Sequence, residues 1–166
     1  MTETAPENSP VIAEVVAKDA TSTVAVAGHP LHAMSVHFPI AFVAGTVACD
    51  LFYWFAGDPF WLRAGLWTSG VAFLAGIGAG LIGTAELLLV AGIRARAASW
   101  THAVAAMTLI AICGLNWGIR LDDPDRVLPY GLLVSLLAAV FTGLAGWHGG
   151  KLVFDHGVGL MITQKD

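Results

Sequence analysis

The sequence predicts an all-α integral membrane protein, an up-down-up-down bundle of four spanning helices. Three observations predict it. Of the 166 residues, 57% are hydrophobic and only 12% are charged, where a soluble domain carries about a quarter charged residues. The mean hydropathy is +0.74, so a water-soluble fold of this size would expose a large apolar area, which soluble proteins avoid. Four long apolar runs, each close to the roughly 20 residues that cross a bilayer, are separated by short turn-rich connections.

Residues 1–28 differ in kind from the rest of the chain. TETAPENSP is polar and turn-prone, and the stretch after it is only mildly apolar. No basic region precedes a long apolar core, so the segment is read as a flexible N-terminal tail and not as a cleavable signal peptide. The transmembrane domain is expected over residues 29–148, with an interfacial C-terminal tail over 149–166.

The first span is predicted from about His37 to Phe55, and the second from Phe60 to about Glu86 or beyond. The third is expected from Ala98 to Ile119, and the fourth from Pro129 to Trp147. These runs are continuous and rich in Ala, Leu and Gly, without the period-two alternation of barrel strands. Gly57-Asp58-Pro59 stops one helix and starts the next, with Asp58 as N-cap and Pro59 in the first turn. Asp122-Asp123-Pro124-Asp125 serves the third connection, and Gly149-Gly150 is expected to end the fourth helix. Such short loops make neighbouring helices antiparallel.

Small residues let helices approach in lipid. Gly76/Gly80, Gly114/Gly118 and Gly146/Gly150 have the spacing for it, either for helix packing or to make room for a flat cofactor. Cys49 and Cys113 fall in separate spans and read as buried small hydrophobes. Trp54, Trp61, Trp67 and Trp117 mark one interface, Trp100 and Trp147 the other. Basic residues near the spans divide evenly. Lys18 and Lys165 tilt the balance toward cytoplasmic termini. No basic stripe suggests nucleic acid.

On this topology all the histidines fall on the face that carries the termini. His29, His32 and His37 enter span one, His102 enters span three, His148 ends span four and His156 follows in the tail. Glu86 joins them, because the uncharged run from Ala64 to it covers 22 residues, about 33 Å of helix. Ionisable groups at membrane depth are functional candidates by default. A pairing of Glu86 with Arg94 or Arg96 at the interface is the structural alternative. Asp50 belongs to the opposite leaflet and is expected to pair with Arg63 or Arg120.

Spans one and three run parallel and sit diagonally, so His37 and His102 are expected to face each other at similar depth. Two facing imidazoles between helices suit a bis-histidine haem b. Arg94 and Arg96 would then meet its propionates, and His29, His32 and His156 would be neighbouring groups or alternative ligands. Pro39 removes a donor to the Ser35 carbonyl and predicts irregular backbone beside His37. His37, His102 and Glu86 would also suit zinc, copper or non-haem iron, as a binding or transport site. A structural or assembly subunit is the third reading. The sequence contains no G-x-S-x-G, H-E-x-x-H or P-loop.

Two segments resemble a known family. GHPLHAMSVHFPI, Gly28–Ile40, and GWHGGKLVFDHGVG, Gly146–Gly159, are similar to the signatures HPLHPM-x-VHFP and GG-x-LVY-x-HGVG of an uncharacterised bacterial family of four-span predicted membrane proteins. A basic stretch and then a histidine open that family's third span, matched here by Arg94, Arg96 and His102. Ala33 stands where the family often has proline, and Phe154 where it often has tyrosine. The resemblance implies that His29, His32, His37, His102 and His156 are the family positions, and that His148 is not. It implies a bacterial inner (cytoplasmic) membrane location. Some relatives carry Rieske or cytochrome c type domains, which implies a redox role and such a partner; a quinone, membrane lipids and a second copy of the chain are the other partners expected. A likeness to four-helix haem b membrane proteins points the same way.

Overall fold

The computed structural model describes Ala17 and residues 20–159. A two-residue hairpin pairs β1, Ala25–Val26, with β2, His29–Pro30. The first two helices are α1, Leu31–Ser35, and α2, His37–Ala56. Then come α3, Pro59–Leu89, and the short α4, Ala91–Arg94. The last elements are α5, Ala97–Asp122, a 3-10 turn at Pro124–Val127, and α6, Tyr130–Phe154.

The punctuation in the sequence acts locally as expected. Asp58 Oδ1 accepts from the Phe60 N–H at 2.8 Å, and Gly57 closes α2 at φ +66°, a conformation that favours glycine. Asp123 caps the 3-10 turn by accepting from the Asp125 N–H at 3.0 Å. Pro39 leaves the Ser35 carbonyl without its helical donor, and the helix is interrupted between Ser35 and His37. Leu31–Ala56 nevertheless forms one 26-residue apolar span.

α2 packs on α3 and α6, and α5 packs on the same two helices. The order round the bundle is therefore α2–α3–α5–α6, with spans one and three diagonal. Val43, Ala72, Ile112, Cys113 and Ala138 form its buried centre, with Cys49 and Cys113 as buried free thiols. Between 17% and 28% of each span's apolar window is buried, at a mean hydropathy of 1.5 to 1.8. The remaining apolar surface, Leu81, Met107 and Val140 included, faces outward. Lipid is the solvent that such a surface requires.

Two boundaries differ from expectation. Gly149-Gly150 does not end the fourth helix, which runs through to Phe154. A helical glycine costs only about 1 kcal/mol against alanine, and the His102 ring packs against Gly149, where a side chain would crowd it. His148 consequently lies inside α6. The segment expected as a flexible tail is packed where it is described: Ala20 and Ser22 are buried, and Ala20 adds to an apolar cluster with Leu87, Val90 and Ile93. Its carbonyl accepts from the Gly159 N–H at 2.8 Å, tying the segment before the hairpin to the one after α6. Lys18 and Lys165, on which the expected orientation turned, lie outside the described residues.

Candidate histidine site at the terminal face

Glycine and alanine on α3 and α6 decide where the histidines sit. Ala79 and Gly83 are one turn apart on α3, as are Ala145 and Gly149 on α6, and each pair leaves a shallow seat. His32 occupies the first: a Cβ at Gly83 would meet its Cε1 at 2.6 Å. His102 occupies the second: a Cβ at Gly149 would meet its Cε1 at 3.2 Å. His32 Nδ1 lies 3.0 Å from the Ala79 carbonyl, and His102 Nδ1 lies 3.0 Å from the Ala145 carbonyl.

A carbonyl oxygen only accepts, so Nδ1 carries the proton in both rings. The neutral imidazole then keeps its lone pair on Nε2. The two rings meet edge to face, with centroids 6.1 Å apart and planes at 79°. The site is thus a pair of oriented imidazoles between the first and third spans. This is the arrangement that metal-binding histidines adopt when a backbone carbonyl fixes the ring.

The partner of His102 is therefore His32 and not the expected His37. His37 is exposed, and its Nδ1 donates locally to the Met34 carbonyl at 3.2 Å. His32 and His37 are five positions apart, on either side of the break at Val36, and only His32 is turned into the bundle. His29 is also exposed and bonds the Ala27 carbonyl at 2.8 Å. His148 and His156 are half-buried on the same face.

Glu86 is buried on that face, as its distance along span two predicts, and Ser22 Oγ donates to its Oε1. The described ion pairs do not join it to Arg94 or Arg96, whose guanidiniums donate to the Leu88 and Gly92 carbonyls. His37, His102 and Glu86 do not form a ligand set. Among the described residues no group of three or more His, Cys, Asp or Glu side chains could hold a metal.

The glycine pairs singled out in the sequence serve helix packing where they have neighbours. Gly76 and Gly80 both face Ile110 of α5, and Gly114 faces Phe73. Gly118, Gly146 and Gly150 have open space where a Cβ would be. The seats that matter, Ala79/Gly83 and Ala145/Gly149, carry the same small-residue spacing in the sequence, one residue or one turn away from the pairs expected.

A second polar layer lies at the opposite end. Asp50 pairs with Arg120, as one of its two expected partners, at 2.7 Å with both side chains 1% exposed. Ser135 Oγ is 2.6 Å from the same Asp50 oxygen, and Asn116 Oδ1 accepts from Arg120 Nε at 3.1 Å.

Four apolar helices around a partly polar interior define a multi-pass α-helical membrane protein. More particularly, the chain belongs to the family described as Predicted membrane protein (DUF2231), whose model matches residues 28–161. That range includes both histidine-bearing end motifs. No curated protein and no solved structure matches the chain.

Proposed function

We propose that this protein is a membrane electron-transfer subunit that carries one b-type haem, with His32 and His102 as axial ligands. The observation that carries the proposal is the paired orientation of these two rings across the first and third spans. Each Nδ1 is held by a backbone carbonyl and each Nε2 keeps its lone pair. Their ring centroids are 6.1 Å apart, so one group bound at this end of the bundle would have both imidazoles within reach.

Two protein ligands select among the possible occupants. A zinc site needs three or four, and no described cluster supplies a third. Haem brings its own equatorial nitrogens and asks the protein for two axial ligands, supplying one-electron chemistry when bound. Ala79 and Ala145 orient the ligands, Gly83 and Gly149 seat them, and Arg94 and Arg96 on the same face suit the propionates.

The test is a reduced-minus-oxidised absorbance spectrum of the detergent-purified protein, expressed with haem supplied. Soret and α bands are expected in the wild type and in His37→Ala, and their loss in His32→Ala and His102→Ala. A flat spectrum in a folded wild-type protein overturns the proposal. Stoichiometric copper or zinc without porphyrin by elemental analysis would instead support a metal-binding protein.

A further inference from the structure

The other polar layer carries an inference that does not depend on the histidine site. Each of the four spans contributes one polar side chain to a single level of the bundle: Thr46 from α2, Ser69 from α3, Asn116 from α5 and Ser135 from α6. All four are at most 2% exposed. Together with apolar residues such as Val43 and Ala138 they line a cavity of about 10 Å³. By that measure a single water needs about 10–15 Å³.

The hydrogen-bonding capacity left over at this level is specific. Asn116 Nδ2 has two N–H groups, and one is taken by Ser135 Oγ at 2.8 Å. Ser69 Oγ spends its only proton on the Leu66 carbonyl at 2.9 Å, which leaves its lone pairs. Thr46 Oγ1 donates its proton to the Phe42 carbonyl at 2.8 Å and lies 3.0 Å from Thr68 Oγ1, which takes one of its lone pairs and leaves the other. One donor and two acceptors are what a water molecule with three hydrogen bonds requires, and buried waters typically make about three.

Charge narrows the occupant further. Arg120 bonds both Asn116 and Ser135 at 3.1 Å, so a cation here would sit beside a guanidinium. An anion would face the hydroxyl lone pairs and the Asp50 carboxylate behind Ser135. A neutral ligand of water's size meets neither objection.

We infer that this cavity is a binding site for one ordered water, which accepts from Asn116 Nδ2 and donates to Ser69 Oγ and Thr46 Oγ1. It links α2, α3 and α5 directly, and α6 through the Asn116–Ser135 bond. Val43, Ala72, Cys113 and Ala138 supply the apolar part of the lining.

The full-length protein in lipid nanodiscs tests this. Water-to-protein magnetisation transfer is read on the Asn116 side-chain amide in otherwise deuterated protein. A cross-peak at the water frequency is expected in the wild type. It should fall by at least fivefold in Ser69→Val, which fills the space and removes an acceptor. A structure at a resolution that orders waters should place one peak within hydrogen-bonding distance of Asn116, Ser69 and Thr46. A wild-type amide with no water cross-peak, or a well-ordered map with no peak there, overturns the inference. Should Ser69→Val fail to fold, the two wild-type measurements still decide it.

Discussion

Arg120 Nη2 lies 2.7 Å from Asp50 Oδ2, an ion pair that joins the two diagonal spans inside the bundle with both side chains 1% exposed. Neither group could be left there alone. A buried charge without its partner is strongly unfavourable, although the intact pair gains little over apolar residues of similar volume. Asp50→Leu or Arg120→Met is therefore expected to lower stability by about 3–5 kcal/mol. The double variant should lie closer to wild type than either single one. Denaturant titration of detergent-solubilised protein measures all three, and additive losses in the double variant would contradict a coupled pair.

Gly65 lets this pair form, because a Cβ there would meet Arg120 Nη1 at 2.7 Å. The guanidinium is held by Asp50, Asn116 and Ser135 and has little room to retreat. Gly65→Ala is expected to cost about 1–3 kcal/mol through overpacking. At Gly118, where an added Cβ meets nothing within 4 Å, the same substitution should be neutral or stabilising by up to about 1 kcal/mol. Thermal melting of the two variants side by side checks the contrast.

The histidine seats predict a graded response. A Cβ at Gly83 would meet the His32 ring at 2.6 Å, while one at Gly149 would meet the His102 ring at 3.2 Å. Gly83→Ala should displace its ring more than Gly149→Ala, and Gly146→Ala, with open space around it, should displace neither. Ring-labelled histidine resonances report each displacement without requiring any bound group. Global stability should change by less than about 1 kcal/mol, because a ring on a flexible side chain can shift.

Ser22 and Glu86 fasten the N-terminal segment to the end of span two. Ser22→Ala removes the donor and should cost about 1–3 kcal/mol locally, since the buried carboxyl loses its partner. The effect is expected in faster amide hydrogen exchange over residues 20–30, with the bundle interior unchanged. Glu86→Gln keeps an acceptor oxygen and should exchange more slowly than Ser22→Ala. Equal exchange in both variants and wild type would show that the bond contributes nothing.

The one-dimensional pattern of the chain determined the four spans, their antiparallel order, the Asp58 cap and the shared face of the histidines. Apolar run length, turn residues and helix rise are local properties, and each can be read residue by residue. The Asp50–Arg120 pairing was legible for the same reason: opposite charges at matching depth in lipid have few other partners, and only the choice between Arg63 and Arg120 remained.

Tertiary structure decided what local patterns leave open. The turn of the chain between α1 and α2 selects His32 over His37: His32 meets Ala79 and His102, while His37 is left exposed. The seats of His32 and His102 depend on which small residues of α3 and α6 come opposite, through bonds that span 47 and 43 positions of the chain. The continuation of α6 past Gly149-Gly150, the packing of Ala20 and Ser22, and the four-span polar cavity arise in the same way. Each depends on side chains brought into contact by helix packing, and no single stretch of sequence contains both halves of such a contact.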